Sequence, residues 1–95
     1  MPDDPKLPSQ KAPAMKLNPN IALSESGFLF HASTGDSYTV NPTGLHILQL
    51  IRQERSIQEI EETLTETYDL GELQAKEDVH DYLQYLRQLK IVIDE

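Results

Sequence analysis

The chain contains no cysteine. Disulfides, thiolate metal sites and a cysteine nucleophile are therefore excluded, and a reducing compartment suits the sequence. No apolar run approaches the roughly 18 residues of a membrane span, so no membrane partner is expected. The opening segment, residues 1–16, lacks the apolar centre of a secretory signal, and a cytoplasmic location is the expectation. Basic residues are scarce: Lys and Arg number 8 against 16 Asp and Glu, for a net charge of −8. Lys6, Lys11 and Lys16 against Asp3 and Asp4 leave residues 1–16 at +1, which puts −9 on the remainder. Such a surface repels a phosphate backbone, so no nucleic-acid partner is expected, whereas a basic or mixed-charge partner is accommodated. Nucleophile elbow, phosphate loop and dinucleotide fingerprint are all missing. A chain of 95 residues buries only a thin core and has little room for a deep catalytic pocket. The expectation is one binding domain that catalyses nothing and uses no cofactor and no metal.

Proline is concentrated at one end, with five of the six in the first 19 residues. Residues 1–16 have no hydrophobic period and read as a flexible tail, and residues 17–95 as the folded domain. From Ile21 the pattern changes. Ile21–Ser24, Phe28–Ala32 and Ser37–Val40 read as three short strands separated by turns at Gly27 and Gly35. A three-residue loop, Ser33-Thr34-Gly35, would pair Phe30 with Tyr38 and Phe28 with Val40, all four on one face against the helices. A four-residue loop would divide them between faces. The first register is preferred on that ground, and it turns His31 outward.

Three helices follow. Asn41-Pro42 is a cap followed by proline at the first helical position, opening a helix to about Glu54 with Leu45, Leu48 and Ile51 on its apolar face. Ser56 and Glu59 have capping-box spacing, and Ile57, Ile60, Leu64 and Tyr68 form the stripe of the second helix. The third runs from about Gln74 to Lys90, with Val79, Tyr82, Leu83, Leu86 and Leu89 as its stripe and Tyr85 at the margin. Ile91-Val92-Ile93 is an apolar piece that can fold back on the core. The layout is α+β: a small three-stranded antiparallel sheet packed on three helices.

The three histidines do not make a metal site. His31, His46 and His80 have no ligating neighbour at i+4, and His80 among Glu77, Asp78 and Asp81 reads as part of a solvated acidic helix face. Phe28 and Phe30 read as core. Tyr82 and Tyr85 divide between core and ligand contact, since a helix in so small a domain cannot bury both flanks.

The succession of these motifs resembles the PqqD-like family of peptide chaperones, also called RiPP precursor recognition elements. The resemblance rests on Phe28-Leu29-Phe30-His31, Gly35, Tyr38-Thr39-Val40-Asn41, Ser56-Ile57-Gln58-Glu59-Ile60, Asp78-Val79 through Leu86, and Ile91-Val92. It departs at Val40, where leucine is commoner, and at Gln53-Glu54-Arg55, where an acidic-Gly turn is frequent. It implies a winged-helix-like fold and a role as a biosynthesis accessory protein. The leader of a ribosomally made precursor peptide would add as a strand beside the third strand, and a modifying enzyme, often a radical SAM protein, would be recruited. Carried onto this chain, the peptide-binding residues are Ser37, Tyr38, Thr39 and Val40 on one side and Val79, Tyr82, Leu83 and Leu86 on the other.

Two further readings share the element order. A non-catalytic adaptor or scaffold could hold a folded protein through the same apolar surface. A winged-helix DNA-binding protein is disfavoured, because Glu72, Glu77, Asp78 and Asp81 open the third helix. An exposed edge strand also permits pairing with a second copy, giving a homodimer.

Overall fold

The first two helices begin where a side chain accepts from their first amides. The computed structural model describes residues 15–94. Asn41 caps α1 (Pro42–Arg52), its side-chain oxygen accepting the Gly44 N–H at 2.7 Å. Ser56 caps α2 (Ile57–Tyr68) with a complete capping box: Ser56 Oγ accepts from Glu59 N–H at 3.1 Å, and Glu59 Oε1 accepts from Ser56 N–H at 2.9 Å. Gly71 opens α3 (Glu72–Gln88) without a side-chain cap.

The helix ends share an unexpected feature. All three helices stop at non-glycine residues with positive φ: Glu54 at 62°, Asp69 at 55° and Lys90 at 60°. At Glu54 the arrangement is a Schellman motif, with Glu54 N–H to Ile51 O at 2.8 Å and Arg55 N–H to Leu50 O at 3.0 Å. Lys90 repeats it, with Lys90 N–H to Arg87 O and Ile91 N–H to Leu86 O, both at 3.0 Å. That second motif turns the chain back so that Ile91 and Val92 enter the core, each 2% exposed.

The strands form two small sheets. A ribbon pairs β1 (Met15–Leu17) antiparallel with β5 (Val92–Asp94), Leu17 opposite Val92. The second sheet has the order β2-β3-β4, from Ile21–Leu23, Phe28–His31 and Asp36–Thr39. The core joins Leu29 of β3 to Leu48 and Ile51 of α1, Ile60 and Leu64 of α2, and Val79, Leu83 and Leu86 of α3. Among the described residues no helix is long and apolar enough to cross a membrane.

Among the described residues a three-stranded antiparallel sheet with three helices agrees with the α+β layout expected from sequence, but the hairpin register does not. Phe28 lies opposite Thr39, Leu29 opposite Tyr38, Phe30 opposite Ser37 and His31 opposite Asp36. The connection is therefore the four-residue loop 32–35, closed by Gly35 N–H to His31 O at 2.8 Å with Gly35 at φ 80°. One residue of slip moves every side chain to the other face. Leu29 and His31, each 1% exposed, point into the core, while Phe28 and Phe30 are 58% and 45% exposed on the outer face. The expected core placement of the two phenylalanines and the expected outward His31 are both reversed. Phe-Leu-Phe-His offers an apolar residue to either face, so alternation alone could not choose.

The domain boundary also shifts. Residues 1–14 of the expected tail lie outside the described residues. Met15 and Lys16, assigned to that tail, are strand residues, and Met15 is buried. The ribbon is tied to α3 by Arg87, whose Nη2 lies 3.4 Å from Asp94 Oδ1 and 3.9 Å from Met15 Sδ. Asn18 adds bonds to Ile91 O and Lys90 O, both at 2.9 Å.

Candidate functional site

The two edges of the three-stranded sheet are not equivalent. At β2 the outward groups are partly used: Ile21 N–H donates to Asn18 O at 2.9 Å, and Arg52 Nη1 reaches Leu23 O at 3.4 Å. At β4, Val40 N–H donates inward to Gly27 O at 2.9 Å. Antiparallel alternation then makes Leu29–Tyr38 and His31–Asp36 the hydrogen-bonded pairs. Ser37 and Thr39 consequently aim their N–H and C=O groups away from β3, and no other described residue bonds to them. A row of open backbone groups of this kind is a template for another strand.

A groove runs between this edge and α3. Its lower part, about 170 Å³, is lined by Tyr38, Thr39, Val40 and Asn41 on one wall and by Tyr82, Tyr85, Leu86, Leu89 and Ile91 on the other. Past Asn41 it continues into a second hollow of about 380 Å³, where Tyr82 and Tyr85 meet Ile47, Leu64 and Leu70. Tyr82 and Tyr85 stack with ring centroids 6.4 Å apart. Gly44 makes room for Tyr82: a Cβ there would come within 2.5 Å of the Tyr82 hydroxyl. Desolvation and then the neighbouring Tyr85 raise the Tyr82 hydroxyl above the ordinary phenol range. Tyr38 is raised as well, by desolvation first and then by Asp36 and Tyr85. Tyr38 and Tyr82 are therefore uncharged at neutral pH.

The structure brings together Tyr38, Thr39, Val40, Tyr82 and Leu86 of the residues expected from sequence. Ser37 contributes only its backbone to this edge, since its side chain lies on the outer face beside Phe28 and Phe30. Val79 and Leu83, at 0% and 1% exposure, belong to the core and offer the groove no surface. The reason is helical phase. Ala75, Val79, Leu83 and Leu86 form the stripe that packs on α1 and α2, while Asp78, Tyr82, Tyr85 and Leu89 form an adjacent stripe along the groove. Sequence reasoning merged the two. Tyr85 and Leu89 were within reach of it, as both lie at helical spacing from Tyr82. Asn41 and Gly44 were legible only as helix-start residues.

Among the described residues the histidines lie away from the groove. His46 Nδ1 lies 3.3 Å from the Tyr68 hydroxyl, an inter-helix contact between α1 and α2. His80 is exposed on α3.

Comparison with known proteins agrees with this architecture. No curated protein sequence matches the chain. One similar solved structure is a lasso peptide synthetase B1 complexed with the leader peptide, at a TM-score of 0.75 and 22% identity, covering 84% of this chain and 98% of that chain. Another is TbiB1 in complex with the TbiA(beta) leader peptide, at 0.77 and 19%, covering 81% of this chain and 93% of that one. These likenesses establish the fold. The family model described as coenzyme PQQ synthesis protein D (PqqD) matches residues 27–92, most of the chain. A strand edge left open beside a helix, in a chain that carries this match from Gly27 to Val92, identifies it as a member of the PqqD family.

Proposed function

We propose that this domain captures the leader segment of a ribosomally made precursor peptide and presents it to a modifying enzyme. The leader adds to β4 as a fourth strand. Backbone bonds to Ser37 and Thr39 supply sequence-independent affinity, and alternate leader side chains enter the groove, where Tyr38, Val40, Tyr82 and Tyr85 select them. The observation that carries this reading is the contrast between the edges: β2 is partly bonded, and β4 opens onto an apolar groove. The two structural neighbours, each complexed with a leader peptide, support it. The domain performs no chemistry itself. Its service is to raise the local concentration of the precursor beside a modifying enzyme such as a radical SAM protein.

A second reading, an adaptor for a folded protein, draws on a different surface. The outer sheet face presents Ala22, Ser24, Phe28, Phe30, Ser37 and Thr39, with no charge among them. Exposed aromatic pairs of this kind are common at protein contacts. Calorimetric titration with the leader of a precursor encoded beside this chain separates the readings. Saturable one-to-one binding supports leader capture, and its absence with every such leader leaves the adaptor.

A further inference from the structure

The groove does not end with the β4 edge. Beyond Asn41 it widens into the second hollow, and the mouth of that hollow carries Asp78 and Asp81 above the apolar side chains of Ile47, Leu64 and Leu70. Both aspartates are exposed on α3. Gln74 donates to Asp78 Oδ1 at 2.8 Å, and this neutral contact leaves the carboxylate charge uncompensated. No cation among the described residues forms an ion pair with either aspartate.

From this placement we infer that the second hollow is a specificity subsite for an apolar peptide residue flanked by lysine or arginine. The inference rests on the leader-capture reading and deepens it. A strand laid along Thr39 and continued past Asn41 must cross this hollow. An apolar side chain there removes surface from water against Leu70 and the rings of Tyr82 and Tyr85, over a floor closed by Ile47 and Leu64. A cation beside it lies within reach of two carboxylates on a chain that already carries −8. An acidic neighbour meets repulsion at the same place. The subsite thus discriminates by charge as well as by shape, admitting basic leaders and rejecting acidic ones.

The test uses a display library of random 12-residue peptides, selected on the wild-type domain, on Asp78→Asn/Asp81→Asn and on Thr39→Pro. Wild-type selection should enrich an aromatic or aliphatic residue with Lys or Arg within two positions. The double asparagine variant should enrich the apolar residue and lose the basic preference. Wild-type-selected peptides should bind that variant about five- to ten-fold more weakly in low salt, the scale of two partly exposed ion pairs. The difference should shrink at 0.5 M salt as screening grows. Peptides that bind both proteins equally, or that show no basic enrichment, overturn the subsite while leaving leader capture intact. Peptides whose binding ignores Thr39→Pro, or a library that yields no binder, overturn leader capture and the subsite with it.

Discussion

Val40 donates its backbone N–H to the carbonyl of Gly27 at 2.9 Å, and that one bond fixes which residues of β4 face outward. Counting back from it, Tyr38 and Asp36 bond inward, and Ser37 and Thr39 face the groove edge. The hairpin register expected from sequence was wrong by one residue: it paired Tyr38 with Phe30, where the structure pairs Tyr38 with Leu29. The slip moved the partners on β3 and left the parity on β4 unchanged.

Thr39→Pro follows from this bond. Proline removes an N–H that pairs with nothing in the domain and is tolerated at an edge position. The variant should keep its circular dichroism spectrum and melting curve and lose at least ten-fold in leader affinity. Thr39→Ala keeps the backbone donor and should bind nearly as wild type. Tyr38→Pro breaks an inward bond and should damage the fold. Wild-type affinity in a folded Thr39→Pro protein would eliminate strand addition at β4.

Met15 tests the revised boundary. Its side chain is 5% exposed within the core, so Met15→Ala should cost about 2 kcal/mol through lost burial and the space left behind. For a domain of this size that is roughly a 10 °C fall in the thermal midpoint. An unchanged midpoint would mean that β1 does not hold the domain together, and that residues 1–16 are dispensable as the sequence suggested.

His31 is buried with neither ring nitrogen hydrogen-bonded among the described residues. An unpartnered buried polar group costs on the order of 1–3 kcal/mol, and an apolar side chain of similar size avoids that cost. His31→Leu should therefore raise the thermal midpoint by several degrees. A lower midpoint would show that the imidazole has a polar partner in solution.

Glu54 ends α1 at φ 62°, in a turn where the family often has glycine. A side chain in this region carries roughly 1–2 kcal/mol of strain, of which glycine's greater freedom in the unfolded chain cancels part. Glu54→Gly should stabilise by about 0.5–1 kcal/mol, as should Lys90→Gly, by the same balance of terms. Asp69→Gly should gain less, because aspartate enters the left-handed region more readily. Denaturant melts of the three variants check the order, and a destabilised Glu54→Gly would refute the strain argument.

The sequence by itself determined β2 to β4 and the three helices, with most of their limits. Asn41-Pro42 and the Ser56–Glu59 box are local devices: the residues that make the bonds lie within three positions of each other, so their spacing carries the structure. The stripes of α1 and α2 are legible for the same reason, since each has one apolar face. The tertiary structure alone decided what depends on two elements at once. Whether Leu29 or Phe30 enters the core is set by the loop hydrogen bonds at His31 and Gly35 and by the helices beneath the sheet. Whether Val79 or Tyr85 meets a peptide depends on where α1 and α2 cover α3. The pairing of Met15 with Asp94 joins the two ends of the described chain, and nothing local in either segment announces it. Local hydrogen bonding is written in short spacings, whereas the face a strand or helix turns inward is a property of its neighbours.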